Sequence, residues 1–126
     1  MKKMISLQKP LLNNMETQAV SKTIKSGWIS SAGGKIKTFE KKLQKLTKAK
    51  YVISCINGSC ALLMSVKLVA NNKRGEFIVP SLSFISSVNS IIHNNCTPFF
   101  VDSLEDFNID ADKLNFFFKN FIIKKK

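Results

Sequence analysis

Between residues 51 and 102 the chain alternates short, β-branched apolar runs with segments of helical period, and this alternation limits its possible folds more than any other feature. "YVISCI" (51–56), "EFIVP" (76–80) and "TPFFVD" (97–102) each read as a buried strand. A helix over 59–70 joins the first pair. "FISSVNSIIHN" (84–94), with Ile85, Val88, Ile91 and Ile92 on one face against the core, joins the second. Strand, helix, strand, helix, strand predicts a parallel, right-handed α/β layer. Ligands of such sheets bind beyond the carboxyl ends of the strands. The turns at 57–59, 81–84 and 102–103 would all open on that side.

Upstream of this core the period is helical. Met15, Val20 and Ile24 space a helix over 13–25 that Gly27 ends, and the glycine- and serine-rich "GWISSAGGK" (27–35) is a loop. From Ile36, apolar residues recur at Phe39, Leu43 and Leu46 with lysines opposite, as on a solvated amphipathic helix. A length of 126 residues and 44% hydrophobic content suit one domain with a core. No window reaches 18 apolar residues, and the basic opening "MKKMISLQKP" lacks the apolar stretch of a signal peptide. Cys55, Cys60 and Cys96 form no C-x-x-C pair and read as reduced, cytoplasmic thiols, with no metal site.

A formal charge of +12 raises a nucleic-acid reading, which the details weaken. Arg74 is the one arginine among 20 basic residues, and arginine is the usual bidentate reader of phosphates and guanines. No lysine or arginine lies between Arg74 and Lys113.

In "CINGSCALLMSVKL" (55–68) a small polar turn precedes a helix with almost no polar face. Ser59 is most simply its N-cap. Its hydroxyl and the free N–H groups of Ser59 and Cys60 could also receive an anion at the positive helix end. The turn is neither a P-loop nor a G-x-G-x-x-G fingerprint, so no nucleotide is implied. Phe84 reads as a core aromatic, or as a face on which a flat ring stacks. His93 ends an apolar helix and reads as solvent-facing rather than catalytic. Asp102 reads as the start of a turn and a cap for the segment after it.

The succession "GWISS", "FEKKL", "KYVISCINGSCAL", "EFIVPSLSFISSVNSI", "TPFFVD" and "FNID" resembles the DegT/DnrJ/StrS family of pyridoxal-phosphate-dependent sugar aminotransferases, from about Ile5 to about Leu114. The resemblance implies an α/β fold: the N-terminal part of the type I aminotransferase large domain, a mostly parallel sheet flanked by helices. It implies a homodimer that moves an amino group from a donor such as glutamate to a nucleotide-linked keto-sugar, away from membranes. By position, Ser59 and the N–H of Cys60 would hold the cofactor phosphate, Phe84 would stack on its ring, and Asn89 would line the same pocket. Trp28, Ile29 and Ser30 would approach the sugar. The "SSAGGK" form is similar to the branch making legionaminic- or neuraminic-type precursors.

Two elements of that family have no counterpart. No E-D-x-x-Q/H stretch, source of the aspartate at the pyridine nitrogen, occurs, and no lysine follows one in the Schiff-base position. The resemblance therefore implies no catalytic residue here and a chain inactive alone. It divides the chain into a helical segment with the substrate loop (1–50), the α/β core (51–114) and a lysine-rich end (115–126). "FFFKNFIIKKK" falls inside the next helix or its loop, and an adenine tract encodes such a lysine run, which points to a frameshift or truncation. The rival reading is a small, basic, non-enzymatic α/β protein that binds nucleic acid or another acidic partner.

Overall fold

The computed structural model describes residues 5–122, so the basic opening at 1–4 and the terminal lysines lie outside the described residues. The chain divides between Ser54 and Cys55 into two compact units.

The first unit carries α1 (Asn14–Lys25) and α2 (Gly34–Thr47). Asn13 starts α1 through a reciprocal cap. Its Oδ1 accepts the Met15 N–H at 2.8 Å, and Glu16 Oε2 accepts the Asn13 N–H at 2.8 Å. Gly27, at φ +74°, lets the chain leave α1, a backbone conformation that costs a side-chain-bearing residue. Gly33 is needed for a different reason. A Cβ there would lie 3.1 Å from the Trp28 carbonyl oxygen and 3.2 Å from that of Ser30. From within α2, Glu40 accepts both the N–H and the hydroxyl of Ser54 at 2.9 Å, and these bonds hold its carboxyl below the usual range.

The second unit runs α3 (Gly58–Ala70), β1 (Glu76–Pro80), α4 (Ile85–Ile92), β2 (Thr97–Val101) and α5 (Ala111–Phe117), followed by a π-helical turn, Phe118–Ile122. β1 and β2 pair in parallel, from Glu76 opposite Thr97 to Pro80 opposite Val101. Val79 and Ile91, each 4% exposed, and Cys96 form the core, with Val66, Ala70, Phe77 and Val88 packed against it. No helix among the described residues is long and apolar enough to cross a membrane.

Three expectations change. The run 51–56 is not a strand: no ladder partner faces it among the described residues, and Tyr51, Ile53 and Ile56 are exposed. β-branched composition suits a strand, but only a neighbour's N–H and C=O groups make one. The described sheet therefore has two strands rather than three. Second, α3 is not buried all round. Val66 and Ala70 meet the core, whereas Leu62, Met64, Leu68 and Val69 are exposed. Third, α4 is rotated from the face its isoleucines suggested, with Ile85 and Ile92 outward and Ser90 and Ile91 buried. Burying Ser90 is possible because its hydroxyl donates to the Ser87 carbonyl at 2.8 Å. Asn94, one turn later, donates to the carbonyls of Ser90 at 2.7 Å and Leu63 at 3.0 Å, tying α4 to α3.

Candidate functional site

The start of α3 is organised by Asn57, not Ser59. Asn57 is extended (φ −159°, ψ 172°) and its Oδ1 accepts the Cys60 N–H at 2.8 Å. An N-cap must stand outside the helix and reach forward to the second or third N–H, as Asn57 does. Ser59 is already the second helical residue. This arrangement changes the expected anion donors. The Cys60 N–H is engaged, while the N–H groups of Gly58 and Ser59 and the Ser59 hydroxyl have no partner among the described residues. A helix leaves its first N–H groups open, and two of them remain so here.

Ser59 and Cys60 line a cleft of about 300 Å³ with Leu63, and α4 closes its other side with Ile85, Asn89 and His93. Among the described residues no carboxylate lines it. It combines a positive helix end, a hydroxyl, an amide and an apolar floor, a set that suits an anion carried on an organic group. His93 is the exposed C-cap of α4, its N–H donating to the Asn89 carbonyl at 2.9 Å. Sequence reasoning missed its place in this wall.

Phe84 does not share that cleft. It is 87% exposed and lines an apolar hollow of about 620 Å³ with Pro80, Leu82 and Phe107. The two hollows are lined by consecutive residues, Phe84 and Ile85. Phe107 was not singled out from the sequence. It stands at φ +68°, a strained position for a bulky residue, inside a turn closed by Leu104 N–H to the Asn108 carbonyl at 2.8 Å. Its side chain is 72% exposed. No pattern in the sequence signals a left-handed phenylalanine.

In the first unit, Trp28 lines a cleft of about 370 Å³ with Lys22, Thr23, Ser26, Lys35 and Thr38. Ile29 is exposed. Ser30 is occupied by its loop, its hydroxyl accepting the Ala32 N–H at 3.4 Å and its carbonyl the Gly33 N–H at 3.0 Å.

Asp102, at the carboxyl end of β2, is a structural tie. Its Oδ2 accepts from Lys113 Nζ at 2.6 Å and its Oδ1 from the Ser103 N–H at 2.9 Å. The lysine's hydrogen bond, then that of Ser103, holds the carboxyl low, and the same pairing raises Lys113. The turn expected at Asp102 is present. The cap of the following helix is Asp110, whose Oδ1 accepts the N–H groups of Asp112 and Lys113 at 3.0 Å each.

Comparison with known proteins agrees with this architecture. Residues 10–117 match the model of the DegT/DnrJ/EryC1/StrS aminotransferase family. GDP-perosamine synthase of Caulobacter vibrioides is 38% identical over 111 residues, which is 87% of this chain and 30% of that protein. The enzyme of the same name from Escherichia coli O157:H7 is 37% identical over 101 residues, 80% of this chain and 28% of that one. Among solved structures, the PLP-form of a sugar aminotransferase from Streptococcus pneumoniae superposes with a TM-score of 0.72 at 32% identity, over 87% of this chain and 28% of its own. The chain thus spans under a third of the length of these relatives. With the match running through both units and carrying the Asn57–Ser59 turn, the α4 cleft and the Phe84 hollow within it, the chain belongs to the DegT/DnrJ/EryC1/StrS aminotransferase family.

Proposed function

We propose that this chain carries the phosphate end of a pyridoxal-phosphate site in an aminotransferase acting on nucleotide-linked keto-sugars. The observation that carries the reading is the convergence of Ser59, Cys60 and Asn89 on one carboxylate-free cleft at an open helix end. The family is pyridoxal-phosphate-dependent. The residues present fit the anionic end of that cofactor: two open N–H groups, a hydroxyl without a partner, and no acid in the wall. When bound, pyridoxal phosphate supplies an electron sink for the carbon bearing the transferred amine.

The chain's own residues bind and orient. The Ser59 hydroxyl and the N–H groups of Gly58 and Ser59 hold the phosphate, while the body of Cys60 packs beside it. Asn89 reaches from the facing helix, and Phe84 offers its face to the ring. Trp28, Ile29 and Ser30 belong to the sugar side, with Lys22 and Lys35 beside Trp28 as cations for a nucleotide diphosphate. Glutamate or a similar donor, a homodimeric assembly and a cytoplasmic setting complete the reading. The names of the two perosamine synthases favour a perosamine-type sugar over the legionaminic type.

In this reading none of the lysines of this sequence is the covalent one, and activity requires the length that the relatives have. Two experiments test this. Mixed with pyridoxal phosphate and reduced with borohydride, the chain should show scattered labelling of surface lysines. One stoichiometric lysine together with glutamate-dependent transamination would overturn the reading. Joined to the remaining length of the Caulobacter relative, the chain should bind cofactor with its visible absorbance. There, Ser59→Ala removes a hydrogen bond to a charged group, worth about 1.5–3 kcal/mol, and should lower affinity about 10- to 100-fold. Unchanged affinity with His93→Ala inactive would reassign the site.

A further inference from the structure

At the end of the second unit where α3 stops and the strands begin, a further cavity of about 390 Å³ has a strongly cationic wall. Lys67 comes from the last turn of α3, Lys73 and Arg74 from the turn into β1, and His93 and Asn95 from the turn into β2. Among the described residues no carboxylate lines it, and none of its three cations makes an ion pair. Self-repulsion among three unpaired cations is unfavourable unless water or an anion compensates it.

The wall is held by backbone geometry rather than by the cations. Asn71, Asn72 and Asn95 stand at φ +49°, +60° and +56°, the left-handed region that asparagine tolerates in tight turns. The Lys73 N–H donates to the Ala70 carbonyl at 2.9 Å and the Thr97 N–H to the Gly75 carbonyl at 2.9 Å, so the two turns are tied together. Cys96 Sγ reaches the Lys73 carbonyl at 3.8 Å, and Asn94 ties its turn back to α3. The side chains that could receive an anion are thus presented from fixed turns with their charges unspent.

We propose that this cavity binds a phosphate-class oxyanion carrying two or more charges, with Arg74 as its bidentate donor and Lys67 and Lys73 as point charges. Its volume admits a diphosphate with room for a small organic group. The cavity shares His93 with the wall of the Ser59 cleft, but its three cationic donors are not in that cleft, and the proposal does not depend on the cofactor reading.

The test uses the whole chain at low ionic strength, titrated with inorganic pyrophosphate and, in parallel, with a 5′-nucleoside diphosphate. Backbone amide shifts are followed residue by residue. The expected result is saturable shifts confined to 67–74 and 93–95, weakening as salt rises. Replacing Lys73→Gln and Arg74→Gln together should weaken binding at least about tenfold, with circular dichroism unchanged. The double variant Lys41→Gln, Lys42→Gln removes the same charge from α2 and should leave affinity within about twofold. Equal affinity for the two ligands assigns recognition to the phosphates, and tighter binding of the nucleotide extends the site to the attached group. Shifts scattered over the lysines without saturation, shifts confined to Gly58 and Ser59, or equal weakening by the two double variants would overturn the proposal.

Discussion

At the residue scale, neighbouring side chains in one turn divide two tasks. Asn57 spends its oxygen on the backbone, which leaves the Ser59 hydroxyl free for a ligand. Removing the cap should therefore cost stability without touching the anion donors. Asn57→Ala is expected to destabilise the second unit by about 1 kcal/mol, whereas Ser59→Ala should leave the melting temperature nearly unchanged. Thermal melts of the two variants check this, and equal losses would return the cap to Ser59. Gly27 presents a backbone case. At φ +74° an alanine is strained, so Gly27→Ala should cost about 1 kcal/mol although nothing lies within 4 Å of the added carbon.

At the element scale, the contacts that join helices to strands are few and individually identifiable. Asp102 ties the end of β2 to α5 through Lys113, with Asp110 at 3.8 Å from the same ammonium. Because the folded pKa of Asp102 is depressed, its contribution to stability is present above the carboxylate's ordinary value. It is lost as pH falls through the lower, folded value. Both side chains are exposed, so solvent screens the pair and the effect is small. Lys113→Met should move the Asp102 titration midpoint upward toward the ordinary aspartate value, with the Ser103 N–H still holding it low. A midpoint unmoved in a side-chain carboxyl NMR titration would show that the pair does not form in solution. The α3–α4 contact depends on core volume instead. Ile91→Ala deletes a side chain 4% exposed at the centre of the small cluster, and should cost about 2–5 kcal/mol, enough to lose the cooperative unfolding of this unit.

At the scale of the whole molecule, the described core of the second unit is small beside the apolar surface left open. Val79, Ile91, Cys96 and Val101 are its buried hydrophobic residues, while Leu62, Leu68, Val69, Phe84, Phe100 and Phe107 remain exposed there. β1 and β2 form a two-stranded sheet, marginal without further strands or helices to cover it. Relatives nearly three times as long belong to the same family, and surface of this kind is what additional structure covers. The chain should therefore bind a hydrophobic dye while still unfolding cooperatively. Supplying the remaining length of a relative should reduce the dye binding. Dye binding equal in the chain and in the extended protein would contradict this.

The sequence by itself determined the elements whose signals are local. Proline and β-branched residues marked β1 over its observed span, the 3.6-residue period marked α1 and α2, and the turns after β1 and β2 were legible from where the periods change. The tertiary structure decided whatever depends on a neighbour. Residues 51–56 have a strand's composition, yet a strand needs a hydrogen-bonded partner, and none is present among the described residues. The isoleucines of α4 could not state which of them face inward, because packing on α3 and the Asn94 bond to the Leu63 carbonyl set the helix's rotation. Ser59 and Asn89, thirty residues apart, met at one cleft only because α3 packs on α4, while Phe84 turned toward Phe107. Periodicity reports one chain segment at a time, whereas burial, pairing and convergence are properties of two segments held together.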